Sequence, residues 1–178
     1  MTIQKTRIGK QKMIGILIGN VCSLVGMILD SFASTRKHAK GVLFSQALAQ
    51  GVYAIGSVAL KGYSATAQGV ISILRNLIAM GGKTRPIVEW LLIVLGVVFG
   101  LAFNNRGLYG LLPVIANLEY SLAVLKFKND ERKLKIAFSV MVALFAAFNL
   151  VLYNIVGVFT SLFTLIVTLI DVFKKDRV

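Results

Sequence analysis

The chain has 178 residues, 57% of them apolar and only 15% charged, with a mean hydropathy of +0.79. A soluble domain holds about 45–50% apolar and about 25% charged residues. With too little polar sequence to cover a soluble core, the chain reads as one integral membrane domain over 1–178, and its net charge of +13 belongs to loops facing anionic lipid, with no nucleic-acid partner required.

The first span is predicted over 13–33. Its basic leader TIQKTRIGKQK ahead of the apolar IGILIGNVCSLVGMIL has the outline of a secretory signal. No small-x-small cleavage site follows, and Val21 before Cys22 is too large for a lipoprotein cleavage site, so the segment reads as a membrane helix. Gly15, Gly19 and Ser23 make a small-residue stripe for close helix approach. Cys22 is the single cysteine and His38 the single histidine; an intramolecular disulfide is excluded, no Cys/His metal site can be assembled, and no cofactor is expected.

Further spans are predicted over 41–60, 65–81, 87–103, 109–126, 136–152 and 155–173, each near the roughly 20 residues that cross hydrocarbon. The third is among the shortest and the least lipid-like. Gln68, Ser72 and Arg75 follow one another at helical spacing, so this polar face must look inward. In the seventh, Thr160, Thr164 and Thr168 share a face, with Asp171 one turn on. Near the middle of the other spans stand Asn20, Gln46, Gln50, Tyr53, Asn117, Glu119 and Asn149.

Lys and Arg concentrate in the 36–40, 82–86 and 126–135 loops and the C-terminal tail, outnumbering those of the N-terminal tail, Lys61 and Arg106 on the opposite side. The expected orientation is N-terminus outside and C-terminus cytoplasmic, although the basic N-terminal tail opposes it. An offset of 96 residues lays STRKHAK over DERKLKI, Gln68 over Thr164, Ser72 over Thr168 and Arg75 over Asp171. The expected fold is therefore an all-α membrane protein of seven transmembrane helices. Two parallel three-helix repeats, about 13–81 and 109–173, are joined by a linker helix at about 87–103, a 3+1+3 arrangement with a site at the repeat interface.

The basic loop STRKHAK, the turn GYSATAQG leading into ISILRN, and GLLPVIANLEY at the fifth span resemble the YgjV-like family of bacterial inner-membrane proteins over most of the chain. The 3+1+3 pattern is more distantly similar to the SWEET sugar facilitators and the PnuC vitamin transporters. The nearer resemblance implies an inner-membrane location. The distant one implies facilitated movement of a small polar solute by rocking two bundles. Pro86 and Pro113 are the only prolines, so the chain departs from the SWEET pattern of hinge prolines in several helices.

Arg75 costs about 2.5–3.5 kcal/mol at a helix centre on insertion scales, so it needs a partner. The expected partner is Asp171, forming a gate or latch on the cytoplasmic half. In the plainer alternative Arg75 snorkels to headgroups and Asp171 ends its helix beside Lys174 and Lys175. Glu119 is a candidate for coupling transport to protons, or else a structural acid bonded to Gln50 or Tyr53. The candidate solute-binding residues are Gln50, Tyr53, Gln68, Ser72, Asn117, Phe148, Asn149 and Thr164. Each hydroxyl and amide has the alternative role of holding helices together. Phe145 joins Phe148 as a stacking candidate, and Trp90 reads as an interface anchor.

An enzyme is disfavoured: there is no HExxH, no nucleophile beside a base and no carboxylate pair within the spans. The expected function is a facilitator or proton-linked carrier for a small polar metabolite such as a nucleoside, vitamin or sugar, with the bilayer and that solute as partners. The alternatives are a membrane subunit that binds substrate for a partner protein, and a non-transporting structural protein. Two three-helix units already enclose a cavity, so a monomer suffices, and the sequence sets no oligomeric state.

Overall fold

The computed structural model describes residues 2–34, 39–81, 85–127 and 131–174, with the side chains of 2–10, 31–34, 39–40, 42–43, 79, 124–125, 131–132, 134–135, 171 and 174 outside the description. Among the described residues the chain is all helical. Seven α-helices run α1 (Thr2–Ser34), α2 (Ala39–Ala59), α3 (Tyr63–Met80), α4 (Pro86–Ala102), α5 (Leu112–Phe127), α6 (Glu131–Val151) and α7 (Ile155–Lys174), with a 3-10 turn at Gly107–Leu111 before α5. The side chains of most basic loop residues that set the expected orientation lie outside the described residues.

Each predicted span coincides with a helix, but two begin well before their apolar runs. α1 starts at Thr2 because TIQKTRIGKQK contains good helix formers and no proline. α6 starts at Glu131 for the same reason, through ERKLK. Among the described residues, length and hydropathy together mark one helix as able to cross a membrane, through the window Gln11–Asp30 with a mean hydropathy of 2.0; Pro86–Ala102, Ile136–Val151 and Ile155–Ile170 are shorter apolar helices. In α3 the polar Gln68, Ser72 and Asn76 are buried.

The helix contacts close into a ring. α1 packs on α2, α2 on α3, α3 on α5, α5 on α6, α6 on α7, and α7 returns to α1, while α4 lies outside against α3 and α5. Small residues permit the closest of these approaches. A Cβ at Gly15 would meet the Ala59 carbonyl and one at Gly19 the Leu60 side chain. Packing and hydrogen bonds, rather than exclusion of water, supply most of the association energy between helices in lipid.

The α2–α3 and α6–α7 turns are built alike. The Lys61 N–H donates to the Val58 carbonyl (2.9 Å) and the Gly62 N–H to that of Ser57 (2.7 Å); likewise Tyr153 donates to Leu150 (3.1 Å) and Asn154 to Asn149 (2.9 Å). Both are Schellman caps. Lys61 and Tyr153 take the left-handed conformation this cap demands, at φ 57° and 58°. The turns stand 92 residues apart, as do the starts of α2 and α6, the ends of those helices and the starts of α3 and α7. That offset is four residues shorter than the 96 suggested by the basic loops. Four residues make about one helical turn, so either offset puts the same face over the same face.

The distribution of polarity is inverted relative to a water-soluble protein. Gln68, Ser72, Asn76, Asn117 and Asn154 are buried, whereas Ile87, Val94, Phe159, Phe163 and Phe173 point outward. At the end of the ring that holds the two caps, Leu60, Ala65, Phe148 and Leu152 form an apolar plug, with Ile16, Leu112 and Phe145 against it.

Candidate functional site

The ring encloses a cavity of about 190 Å³ whose walls come from α1, α2, α3, α5, α6 and α7. All eight sequence candidates for solute contact line it: Gln50, Tyr53, Gln68, Ser72, Asn117, Phe148, Asn149 and Thr164, together with Arg75. At about 10–15 Å³ per water, the space holds on the order of a dozen waters or a metabolite of similar heavy-atom count. The face of α3 that carries Ala65, Gln68, Gly69 and Ser72 has its counterparts at an offset of 92 in Gly157, Thr160, Ser161 and Thr164 of α7, and all eight line the cavity. The helical period accounts for this, because positions three and four apart share a face.

Many of these groups are already engaged. Gln68 is 2% exposed; its Nε2 donates to the Gly96 carbonyl of α4 (2.8 Å) and its Oε1 accepts from Asn117 Nδ2 of α5 (2.7 Å). One side chain thereby ties three helices. The hydroxyl of Thr160 donates to the Gly157 carbonyl (3.1 Å), that of Thr164 to Thr160 (2.9 Å) and that of Thr168 to Thr164 (2.8 Å). This back-bonding leaves the oxygens of Thr160 and Thr164, which line the cavity, as acceptors.

Arg75 donates from Nη1 to the Ser121 hydroxyl (3.3 Å) and lies 5.9 Å from the Tyr120 ring centre. Tyr120 in turn meets Phe138 edge to face at 5.7 Å. The side chain of Asp171, its expected partner, lies outside the described residues.

Glu119 falls outside the cavity walls. Two residues along a helix turn it by about 200°, so with Asn117 facing inward Glu119 faces away. Its Oε2 is buried without a hydrogen-bond partner among the described residues, in place of the bond expected to Gln50 or Tyr53. The Tyr53 hydroxyl bonds instead to Asp30 of α1, and both line the cavity.

Sequence reasoning missed Asp30, because an acid at the end of an apolar run reads as a boundary. It also missed Asn154. That residue is 4% exposed; its Nδ2 donates to Ser23 Oγ of α1 (2.7 Å) and to Asn149 Oδ1 (2.9 Å), while its Oδ1 accepts the Gly157 N–H (3.1 Å) as the N-cap of α7. Nearby, Asn20 Oδ1 accepts the Val156 N–H (2.8 Å). Asn20 and Asn154 together fasten α1 to the start of α7. The signal for Asn154 was its place between two apolar runs, which also suits any polar turn. No group of three or more His, Cys, Asp or Glu stands together among the described residues.

A ring of helices with an apolar exterior and hydrogen-bonded amides inside is the construction of a helical membrane protein, since in lipid every buried polar group must find its partner within the protein. The chain belongs to the Imp-YgjV family of bacterial inner membrane proteins, whose model matches residues 17–178. No curated protein and no solved structure matches it.

Proposed function

We propose that this inner-membrane protein is a carrier for a small polar metabolite such as a nucleoside, vitamin or sugar. In this reading the seven helices all cross the bilayer, N-terminus outside and C-terminus cytoplasmic. α1–α3 and α5–α7 are two parallel repeats, and α4 is the linker that keeps them parallel. The observation that carries the proposal is the cavity of about 190 Å³, walled by both three-helix units and by no residue of α4. The matched caps 92 residues apart support the repeat. The apolar plug around Phe148 closes the cavity at the capped end, and Asp30, Arg75 and Phe138 stand toward the other, so the solute enters from the side on which the basic loops fall.

Thermal stability of the purified protein against nucleosides, vitamins and sugars tests this. A ligand that binds the folded state stabilises it by RT ln(1 + [L]/Kd), about 2.7 kcal/mol at a hundred times Kd. The expected result is a shift with one class that disappears in Ser161→Trp, which fills the cavity from α7 without removing any hydrogen bond described above. No shift with any class at millimolar ligand moves the assignment to a subunit that binds only with a partner, or to a structural protein.

A further inference from the structure

We infer that the cavity takes a solute bearing a carboxylate, and that Arg75 is the residue that binds it. The inference rests on the carrier reading and narrows its substrate class.

Arg75 reaches the cavity wall with, among the described residues, one of its five N–H donors engaged, on a neutral hydroxyl, and its charge faced by an aromatic ring. Neither contact neutralises a guanidinium, and no carboxylate among the described residues forms an ion pair with it. Among the described residues Asp30 is the one acid on the cavity wall, and it is bonded to Tyr53. A cation inside a membrane protein with no acid partner among the described residues is costly, and it persists where it meets an ion that comes and goes. The guanidinium fork matches a carboxylate, with two parallel N–H donors onto two oxygens. Across the ring, the position equivalent to Arg75 at an offset of 92 is Val167, which points outward. The cation therefore belongs to one half of the cavity, as suits a solute with a single anionic end. The opposite wall offers Phe145, Phe148 and threonine oxygens, which suit its neutral remainder.

The test compares probes that differ only in charge, benzoate with benzamide and nicotinate with nicotinamide, by thermal stability of the full-length purified protein in neutral detergent. The expected result is that the acids raise the melting temperature and the amides do not. Arg75→Gln weakens the apparent affinity for the acids by about 10- to 100-fold, the usual loss of a charge-assisted hydrogen bond, and Arg75→Lys retains part of it. Equal shifts with acid and amide in the unmutated protein overturn the inference, which needs no variant to fold. So does an acid shift that survives Arg75→Gln, or the absence of any shift with the acids. Stabilisation by phosphatidylglycerol that Arg75→Gln abolishes, without an effect of the acids, assigns the residue to a lipid phosphate and also overturns it. A shift with a neutral solute but none with an acid removes this inference alone, whereas no shift with any solute removes the carrier reading as well.

Discussion

Replacing Asn154 by alanine removes three hydrogen bonds at the junction of α1, α6 and α7. The N-cap bond to the Gly157 N–H (3.1 Å) contributes about 1 kcal/mol in typical helices. The bonds from Nδ2 to Ser23 (2.7 Å) and Asn149 (2.9 Å) contribute about 0.6 kcal/mol each by the average for interhelical bonds in membranes. Their sum is about 2 kcal/mol, rising toward about 3 kcal/mol because Ser23 is left buried without this partner. Unfolding of the detergent-solubilised protein by a graded denaturant measures the loss. Asn154→Asp keeps the capping oxygen and loses both donors, so it separates the cap from the cross-links. The double variant with Ser23→Ala should lose about 0.5–1 kcal/mol less than the two single losses added together, since both remove one bond. A loss below about 0.5 kcal/mol for Asn154→Ala, or strict additivity with Ser23→Ala, would refute the assigned geometry.

Gly100→Ala places a Cβ against Gln68 Nε2 and Val114 Cγ2; the same unfolding assay should show a loss of about 1–3 kcal/mol, and a neutral result would mean that Gln68 does not bridge α3, α4 and α5 as described. Lys61→Gly and Tyr153→Gly relieve left-handed backbone at φ 57° and 58° and should each stabilise by up to about 1 kcal/mol. Tyr153→Gly should gain less, because Lys12 lies 5.1 Å from the Tyr153 ring centre. Arg75→Asp and Asp171→Arg combined should restore solute-dependent stabilisation lost by each alone if those residues latch; failure of the rescue leaves Arg75 to its solute.

The two readings of the repeat show where sequence patterns lose resolution. Matching the basic loops gave an offset of 96, whereas the caps at Lys61 and Tyr153 and the helix ends give 92. A slip of one helical turn preserves every face, so hydropathy and polar spacing agree equally well with both. It does not preserve partners: Arg75 falls on Val167 instead of Asp171, and Gln68 falls on Thr160. The same periodicity explains why the eight contact candidates were legible. Gln68 and Ser72, or Thr160 and Thr164, are placed on one stripe by spacing alone, and a polar stripe in an apolar helix has only the protein interior to face. Glu119 had no such stripe to assign it; its spacing sets it opposite Asn117, but which of the two faces inward is decided only once α5 is docked.

By itself the sequence determined the helices, their apolar exteriors and the inward stripes, because these follow from local composition and a period of 3.6 residues. The tertiary structure alone decided which stripes meet. The bond from Asn154 to Ser23 spans 131 residues and that from Asn117 to Gln68 spans 49. No pattern within one helix carries such information. It arises when the ring closes and each buried donor must find an acceptor on a neighbouring helix.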